Sequence, residues 1–540
     1  MLGQFDASAE AYRCVVGIKP GDFEAHYHLG TVLLNLDKLE AAIASFRRVL
    51  EIKPDHAKTH YNLGSILHER GRLAEAESSF RQALMIDRDY AEAYHELGLV
   101  LLKFARVDEA VASFRKSLEI KPDNIDTQSA LLLALNYPYG NSPDSYLVEA
   151  RQYGRMVSQK VKARWSSWQI DKRPERLRVG MVSGDLRNHP VGHFLQGMLA
   201  QLDHDHIELI AYPTVRMEDK FSASVKPHFA AWKPLFGLDD EAAARLIHAD
   251  GVHVLLDLSG HTAFNRLPVF AWKPAPVQAT WLGYFATTGV AEMDYLLADV
   301  VGIPEAMQSH FTESIWYLPD TRLCFTPPAF DLSVASLPAL QNGFITFGCF
   351  QNLAKVGDEV LEVWGRILAA LPGAKLRMQA RQLGEPAHVS KLLQRLQRYG
   401  VDTARVATHA PARREDYLAA HAEVDILLDT FPYPGGTTTC EALWMGVPTL
   451  TLAGGSMLAR QGASLLTAAG LPEWVAASKE EYVAKAINMA ADKAGLAALR
   501  AVLREQVLAS PLFDAPRFAR HFEESMWGMW RAYDQTQLEC

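Results

Sequence analysis

The sequence is poor in cysteine and has no long apolar run. Its five cysteines, Cys14, Cys324, Cys349, Cys440 and Cys540, are scattered, with no C-x-x-C pair and no histidine at zinc-finger spacing. This speaks against a disulfide-stapled scaffold or a zinc module, and for a reduced, intracellular protein. No apolar stretch reaches the roughly 18–20 residues that a membrane-spanning helix needs. The opening residues, MLGQFDASAEAYR, lack an apolar core behind a basic start, so no secretory signal is expected and the expected location is cytoplasmic. Basic excess is missing too: the formal charge of −9 argues against a broad nucleic-acid surface. Neither G-x-G-x-x-G nor G-x-x-x-x-G-K-[ST] occurs after a strand, which argues against a dinucleotide dehydrogenase and a P-loop ATPase.

What is present begins with a period. Leu-Gly recurs at Leu29-Gly30, Leu63-Gly64 and Leu97-Gly98, alanine at Ala42, Ala76 and Ala110, and phenylalanine at Phe46, Phe80 and Phe114, each at intervals of 34 residues. Pro20, Pro54 and Pro122 stand at the ends of the units, with Arg88 in the remaining slot. This is the tetratricopeptide pattern, in which small residues let two helices approach, phenylalanine fills the gap between them and proline stops the second helix. Complete units are expected at 22–54, 55–88 and 89–122. Residues 1–20 read as only the second helix of a repeat, with Tyr12 in the phenylalanine slot. Residues 1–122 are therefore expected to form the repeat array, and 123–172 a helical cap and bridge.

Beyond residue 172 short β-rich runs alternate with helical stretches. RLRVGMVSGD, HIELIAYPT, VHVLLDLSG, VQATWLGY, MDYLLADVVGIP and SIWYLPDT read as buried parallel strands of one domain, 173–325. FITFGCF, AKLRMQA, RVATHAP, VDILLDTF and VPTLTL begin a second domain, 344–540, which ends in helices. The weakly patterned 326–343 is the expected linker. The expected fold is thus a helical repeat superhelix followed by two Rossmann-like α/β domains facing a cleft.

One loop carries chemistry. DTFPYPGGTTTCEALWMGVP (429–448) runs from a strand end through a Pro/Gly turn into a helix, placing Gly435, Gly436, Thr437 and Thr438 at a helix N-terminus. Free backbone N–H groups and the helix dipole favour a phosphate there. Glu441, one turn on, can accept both hydroxyls of a ribose. An ordinary glycine turn with a threonine cap is the plain alternative. Asp203-His204-Asp205 has the form of a metal-binding D-x-D, but it lies in a polar turn leading into a strand and reads as solvated. His189 and His193 have metal-pair spacing, yet Pro190 between them and the lack of a third ligand argue against zinc. No metal and no cofactor is expected.

Taken with GDLRNHPVGHF (184–194), KPAPVQATWLGYFATTG (273–289) and FQNLAK (350–355), this loop makes the chain resemble the O-linked N-acetylglucosamine transferases, in a short bacterial-type form with a two-domain (GT-B) catalytic half. The resemblance implies an inverting, metal-independent transfer of N-acetylglucosamine from UDP-GlcNAc to serine or threonine hydroxyls of a protein entering along the repeats. It implies that Lys355 neutralises the departing diphosphate, that His193 lies near sugar and acceptor as a candidate base, and that His253 is a second histidine of the cleft. The resemblance also brings Asn352 to the phosphates, Leu282 and Gly283 to the sugar, and Ala410, Arg414 and Tyr417 around the uracil. The animal members have histidine, aspartate and histidine where Gly436, Glu441 and Tyr417 stand. Their repeats carry an asparagine ladder where this chain has His28, Asn62 and Glu96. Two other readings stay open: the same fold acting on a glycan, lipid or small-molecule acceptor or with another nucleotide sugar, and a repeat scaffold with a degenerate transferase domain.

Overall fold

A computed structural model describes residues 2–138, 140 and 142–539. The chain divides between Ala134 and Leu135 into two compact units. The first is all helical. The helix Leu2–Ile18 is followed by the pairs Phe23–Asn35 with Leu39–Ile52, Ala57–Glu69 with Leu73–Ile86, and Ala91–Lys103 with Val107–Ile120, and then by Ile125–Ala134. Phe46, Phe80 and Phe114 are fully buried. Each ring lies over the glycine of its own repeat: a Cβ on Gly64 would come within 2.7 Å of the Phe80 ring, and one on Gly98 within 2.5 Å of Phe114. The 34-residue period is therefore a packing period.

The three positions that match the asparagine ladder are turned to neighbours within the array. Asn62 donates to the Tyr27 hydroxyl at 3.3 Å, Glu96 lies 3.1 Å from Nδ1 of His68, and His28 stacks on Tyr12.

The second unit opens with the helix Pro143–Lys160, capped by Ser142 and started by proline. Among the described residues thirteen strands follow: β1 (Leu177–Ser183), β2 (Ile207–Pro213), β3 (Ala231–Trp232), β4 (Val254–Asp257), β5 (Val277–Thr280), β6 (Tyr295–Ala298), β7 (Ser314–Tyr317), β8 (Thr346–Cys349), β9 (Lys375–Gln379), β10 (Val406–His409), β11 (Ile426–Leu428), β12 (Thr449–Leu452) and β13 (Val475–Ala476). They form two sheets, in the orders β3-β2-β1-β4-β5-β6-β7 and β10-β9-β8-β11-β12-β13. Every pairing is parallel. Parallel strands are covered on both faces, which is why β4, β5 and β11 are buried at every residue.

Each sheet reverses its winding once, between β1 and β4 in the first and between β8 and β11 in the second. Ligands of open α/β sheets bind outside the carboxyl ends of the strands at such points. The helix Ala515–Glu539, which the sequence groups with the second domain, packs instead on β1, β4 and β5 of the first. There Trp281 meets the rings of Phe518 and Phe522.

Candidate active site

Beyond β8 the chain turns through Gln351 and Asn352 into a short 3-10 turn, Leu353–Lys355. Beyond β11 it runs through Asp429 and the Pro/Gly loop into the helix Thr437–Trp444. Asp429 ties the two together. Fully buried, its carboxylate accepts from the Gly435 N–H (2.7 Å), the Thr430 N–H (3.0 Å), the Thr451 hydroxyl (2.9 Å) and the Gln351 amide (3.2 Å). Burial pushes its pKa up to about 6, against the pull of those donors and of Lys355. Gln351 also donates to the Thr438 hydroxyl at 2.8 Å. Gly435 is required here, because a Cβ would strike Gln351, Thr438 and Thr439.

Lys355 donates from Nζ to the Pro434 carbonyl at 2.9 Å and lies 4.0 Å above the Tyr433 ring. Burial lowers its pKa to about 8, opposed by Asp429. Among the described residues no carboxylate is in ion-pair contact with it. A cation desolvated beside a glycine turn, with Asp429 nearby but no carboxylate in direct contact, is suited to an anion arriving from outside.

The wall of the second domain is built around Glu441, which is 2 % exposed. Arg414, the first residue of the helix Arg414–Ala419, reaches its Oε1 at 2.5 Å. The Tyr417 hydroxyl also bonds to this carboxylate, and its ring packs edge-on against Phe350. Burial raises the Glu441 pKa, with Arg414 and Tyr417 opposing. Ala410 lies at the surface beyond β10, its carbonyl accepting from Gln379. Asn352 is turned to its own neighbours: its side-chain oxygen accepts from the Ala354 N–H and the Gln382 amide.

In the first domain His193 lies on the helix Pro190–Leu199, while His189 is the residue that caps it, accepting from the Val191 N–H. Burial pushes the His193 pKa down to about 4, and the positive fields of Arg414 and His189 add to this. Arg414 belongs to the second domain, so His193 and Glu441 share one cleft. A cavity of about 320 Å³ lies between Phe285 and Thr287 on one side and Phe431, Pro432 and Met457 on the other, lined by neither His193 nor Glu441.

One sequence expectation is corrected. His253 is not in the cleft: it immediately precedes β4, at the amino edge of the sheet. Its Nδ1 accepts from the Arg178 N–H at 3.0 Å and its Nε2 donates to the Asp171 carbonyl at 3.1 Å, so both ring nitrogens are spent on backbone. Gly283 allows a close approach within the chain: the space of a Cβ is taken by the Leu258 carbonyl. Its neighbour Leu282 is buried at φ 77°.

Sequence reasoning missed Gln351, Asp429, Tyr433, and also Asp257, which mirrors Asp429 at the end of β4. Asp257 accepts from the Thr280 hydroxyl and the Ser259 and Gly260 N–H groups, and burial raises its pKa to about 6. Asp203 lies on an exposed turn and bonds the Asp205 N–H and His206. No cluster of three or more His, Cys, Asp or Glu side chains that could hold a metal occurs among the described residues.

Two doubly wound domains that close a cleft over a desolvated lysine and a glycine-turn helix start have the architecture of two-domain glycosyltransferases. The sequence profile of glycosyl transferase family 41 matches residues 156–325 and 329–522, and the chain belongs to that family. Tetratricopeptide profiles match 22–89 and 67–135. The chain is 37% identical over 418 residues to the Petunia hybrida protein named "Probable UDP-N-acetylglucosamine--peptide N-acetylglucosaminyltransferase SPINDLY", covering 76% of this chain and 45% of that one. It is 29% identical to the Arabidopsis thaliana protein of the same description named SEC, over 67% of this chain and 38% of that one. It thus spans under half the length of these plant relatives. A solved variant of the Thermobaculum terrenum O-GlcNAc transferase superposes with a TM-score of 0.87 at 35% identity, covering 95% of this chain and 98% of that chain.

Proposed function

We propose that the chain transfers N-acetylglucosamine from UDP-GlcNAc to serine or threonine hydroxyls of proteins, with inversion and without a metal. The observation that carries this reading is Lys355, a desolvated cation against the Pro434–Gly435 turn at the reversal point of the second sheet. The diphosphate lies on the free N–H groups at the start of the helix Thr437–Trp444, and Lys355 takes up the charge that grows as the glycosidic bond breaks. Glu441, Arg414 and Tyr417 frame the nucleoside.

The acceptor oxygen attacks the anomeric carbon from the face opposite the diphosphate. The bond to the diphosphate oxygen breaks, and the hydroxyl proton leaves the acceptor. His193 is neutral at pH 7 and can accept a hydrogen bond from that hydroxyl. A group with a pKa near 4 holds a proton poorly, which favours passing it on to the departing diphosphate. The protein acceptor is delivered by the repeat array.

The test is incubation of the purified chain and its Lys355→Ala variant with UDP-GlcNAc and a mixture of host proteins, reading the mass of one N-acetylhexosamine on serine or threonine. Modification by the wild type alone is expected. Donor binding without protein modification would overturn the acceptor, modification only with another nucleotide sugar would overturn the donor, and no nucleotide binding at all would leave a scaffold.

A further inference from the structure

Arg322 is 1 % exposed, in the loop after β7 of the first domain. Burying a guanidinium is costly unless its donors are satisfied. One is met: Nη2 donates to Oε1 of Gln461 at 2.8 Å. Nη1 is buried with no hydrogen-bond partner. Its formal countercharge is Asp299, whose Oδ2 is already held by the Arg322 N–H and the Ser464 hydroxyl. Burial lowers the guanidinium pKa to about 10, so it stays charged at neutral pH.

Gln461 belongs to the second domain and is itself 3 % exposed. Its Nε2 donates to the Gly435 carbonyl at 3.1 Å, and a Cβ on Gly436 would lie 3.1 Å from the same atom. Two successive carbonyls of the glycine turn are therefore held from two sides, Pro434 by Lys355 and Gly435 by Gln461. The aromatic rings beneath repeat the arrangement. Lys355 lies over Tyr433, Arg322 lies 5.0 Å over Phe285, and those rings meet edge to face at 6.2 Å. Holding the Gly435 carbonyl fixes the plane it shares with the Gly436 N–H and so the direction of that donor, while the Gly435 N–H, in the Pro434 plane, is held by Asp429.

We infer that Arg322 is a positioning residue for the donor diphosphate, acting across the domain seam through Gln461 on the Gly435–Gly436 turn and adding a second buried positive charge to the one on Lys355. The inference rests on the donor reading above. It assigns the first domain a part in binding the phosphates, which the loop 429–448 alone would not suggest.

The test is calorimetric titration of the full chain with uridine diphosphate and uridine monophosphate, for wild type, Arg322→Met, Arg322→Lys and Gln461→Met. Arg322→Met is expected to weaken the diphosphate roughly tenfold, the scale of one hydrogen bond to a charged group, and the monophosphate clearly less. Arg322→Lys should recover part of the loss. Gln461→Met keeps the arginine but cuts the relay, and should move the affinities the same way even if Arg322→Met fails to fold. Equal losses for both nucleotides, or wild-type affinity in Gln461→Met, would overturn the inference. Failure of the wild type to bind uridine diphosphate would overturn the donor reading and this inference with it.

Discussion

Arg414 meets Glu441 at 2.5 Å with the carboxylate almost wholly inside the protein and the guanidinium about one-third exposed. The carboxylate is set into the helix Thr437–Trp444, and the arginine is the more exposed member of the pair. Glu441→Ala should raise the donor KM roughly tenfold, the scale of a lost charge-assisted hydrogen bond, and change kcat less. Steady-state kinetics at varied donor concentration check this; a fall in kcat with KM unchanged would place Glu441 outside nucleotide binding.

Lys355 gives a pH dependence of known sign. Its pKa in the free protein is lowered to about 8, so it is charged below that pH and loses its proton as the pH rises through it. Affinity for uridine diphosphate should be highest below pH 8 and fall toward pH 9. Lys355→Arg, charged throughout, should remove that fall. Titrations between pH 6.5 and 9 measure it, and a flat wild-type profile would sink the assignment.

His193 predicts the opposite limb. Since its pKa is pushed down to about 4, it is already neutral at pH 6. The kcat/KM profile should therefore show no inflection near 6.5, the ordinary histidine value, and lose activity only below about pH 5. An inflection at 6–7 that disappears in His193→Phe would contradict this environment.

In the repeats, Gly64→Ala places a Cβ 2.7 Å from the Phe80 ring. A cost of about 1–3 kcal/mol is expected for such overpacking. Chemical denaturation should show the loss, while uridine diphosphate affinity stays at the wild-type value because the site lies wholly in the second unit.

The repeats were legible because one contact, phenylalanine against glycine, recurs at a fixed interval and leaves a periodic trace. The long strands were legible as apolar runs, whereas β3 and β13, of two residues each, carry no pattern to detect. Gly435–Glu441 could be read from its local spacing. Gln351, Asp429, Arg322 and Gln461 could not, since the bonds that define them, Gln351 with Asp429 and Arg322 with Gln461, join residues 78 and 139 apart in sequence. His253 misled for the converse reason. Its place beside a strand is visible in the sequence, but which end of the strand faces the cleft depends on the sheet.

The return of the helix Ala515–Glu539 to the first sheet has a mechanical consequence. The chain crosses between the two α/β domains twice, outward through 326–343 and back before Ala515, where the Phe325 N–H bonds the Leu512 carbonyl and joins the two crossings. Two crossings fastened side by side close one edge of the seam between the domains. That edge is held by the chain and by a backbone hydrogen bond, and elsewhere along the seam Arg322 bonds Gln461 and Ser464 bonds Asp299. A cut in either crossing would leave the two domains joined by a single covalent connection without touching a single residue of the cleft.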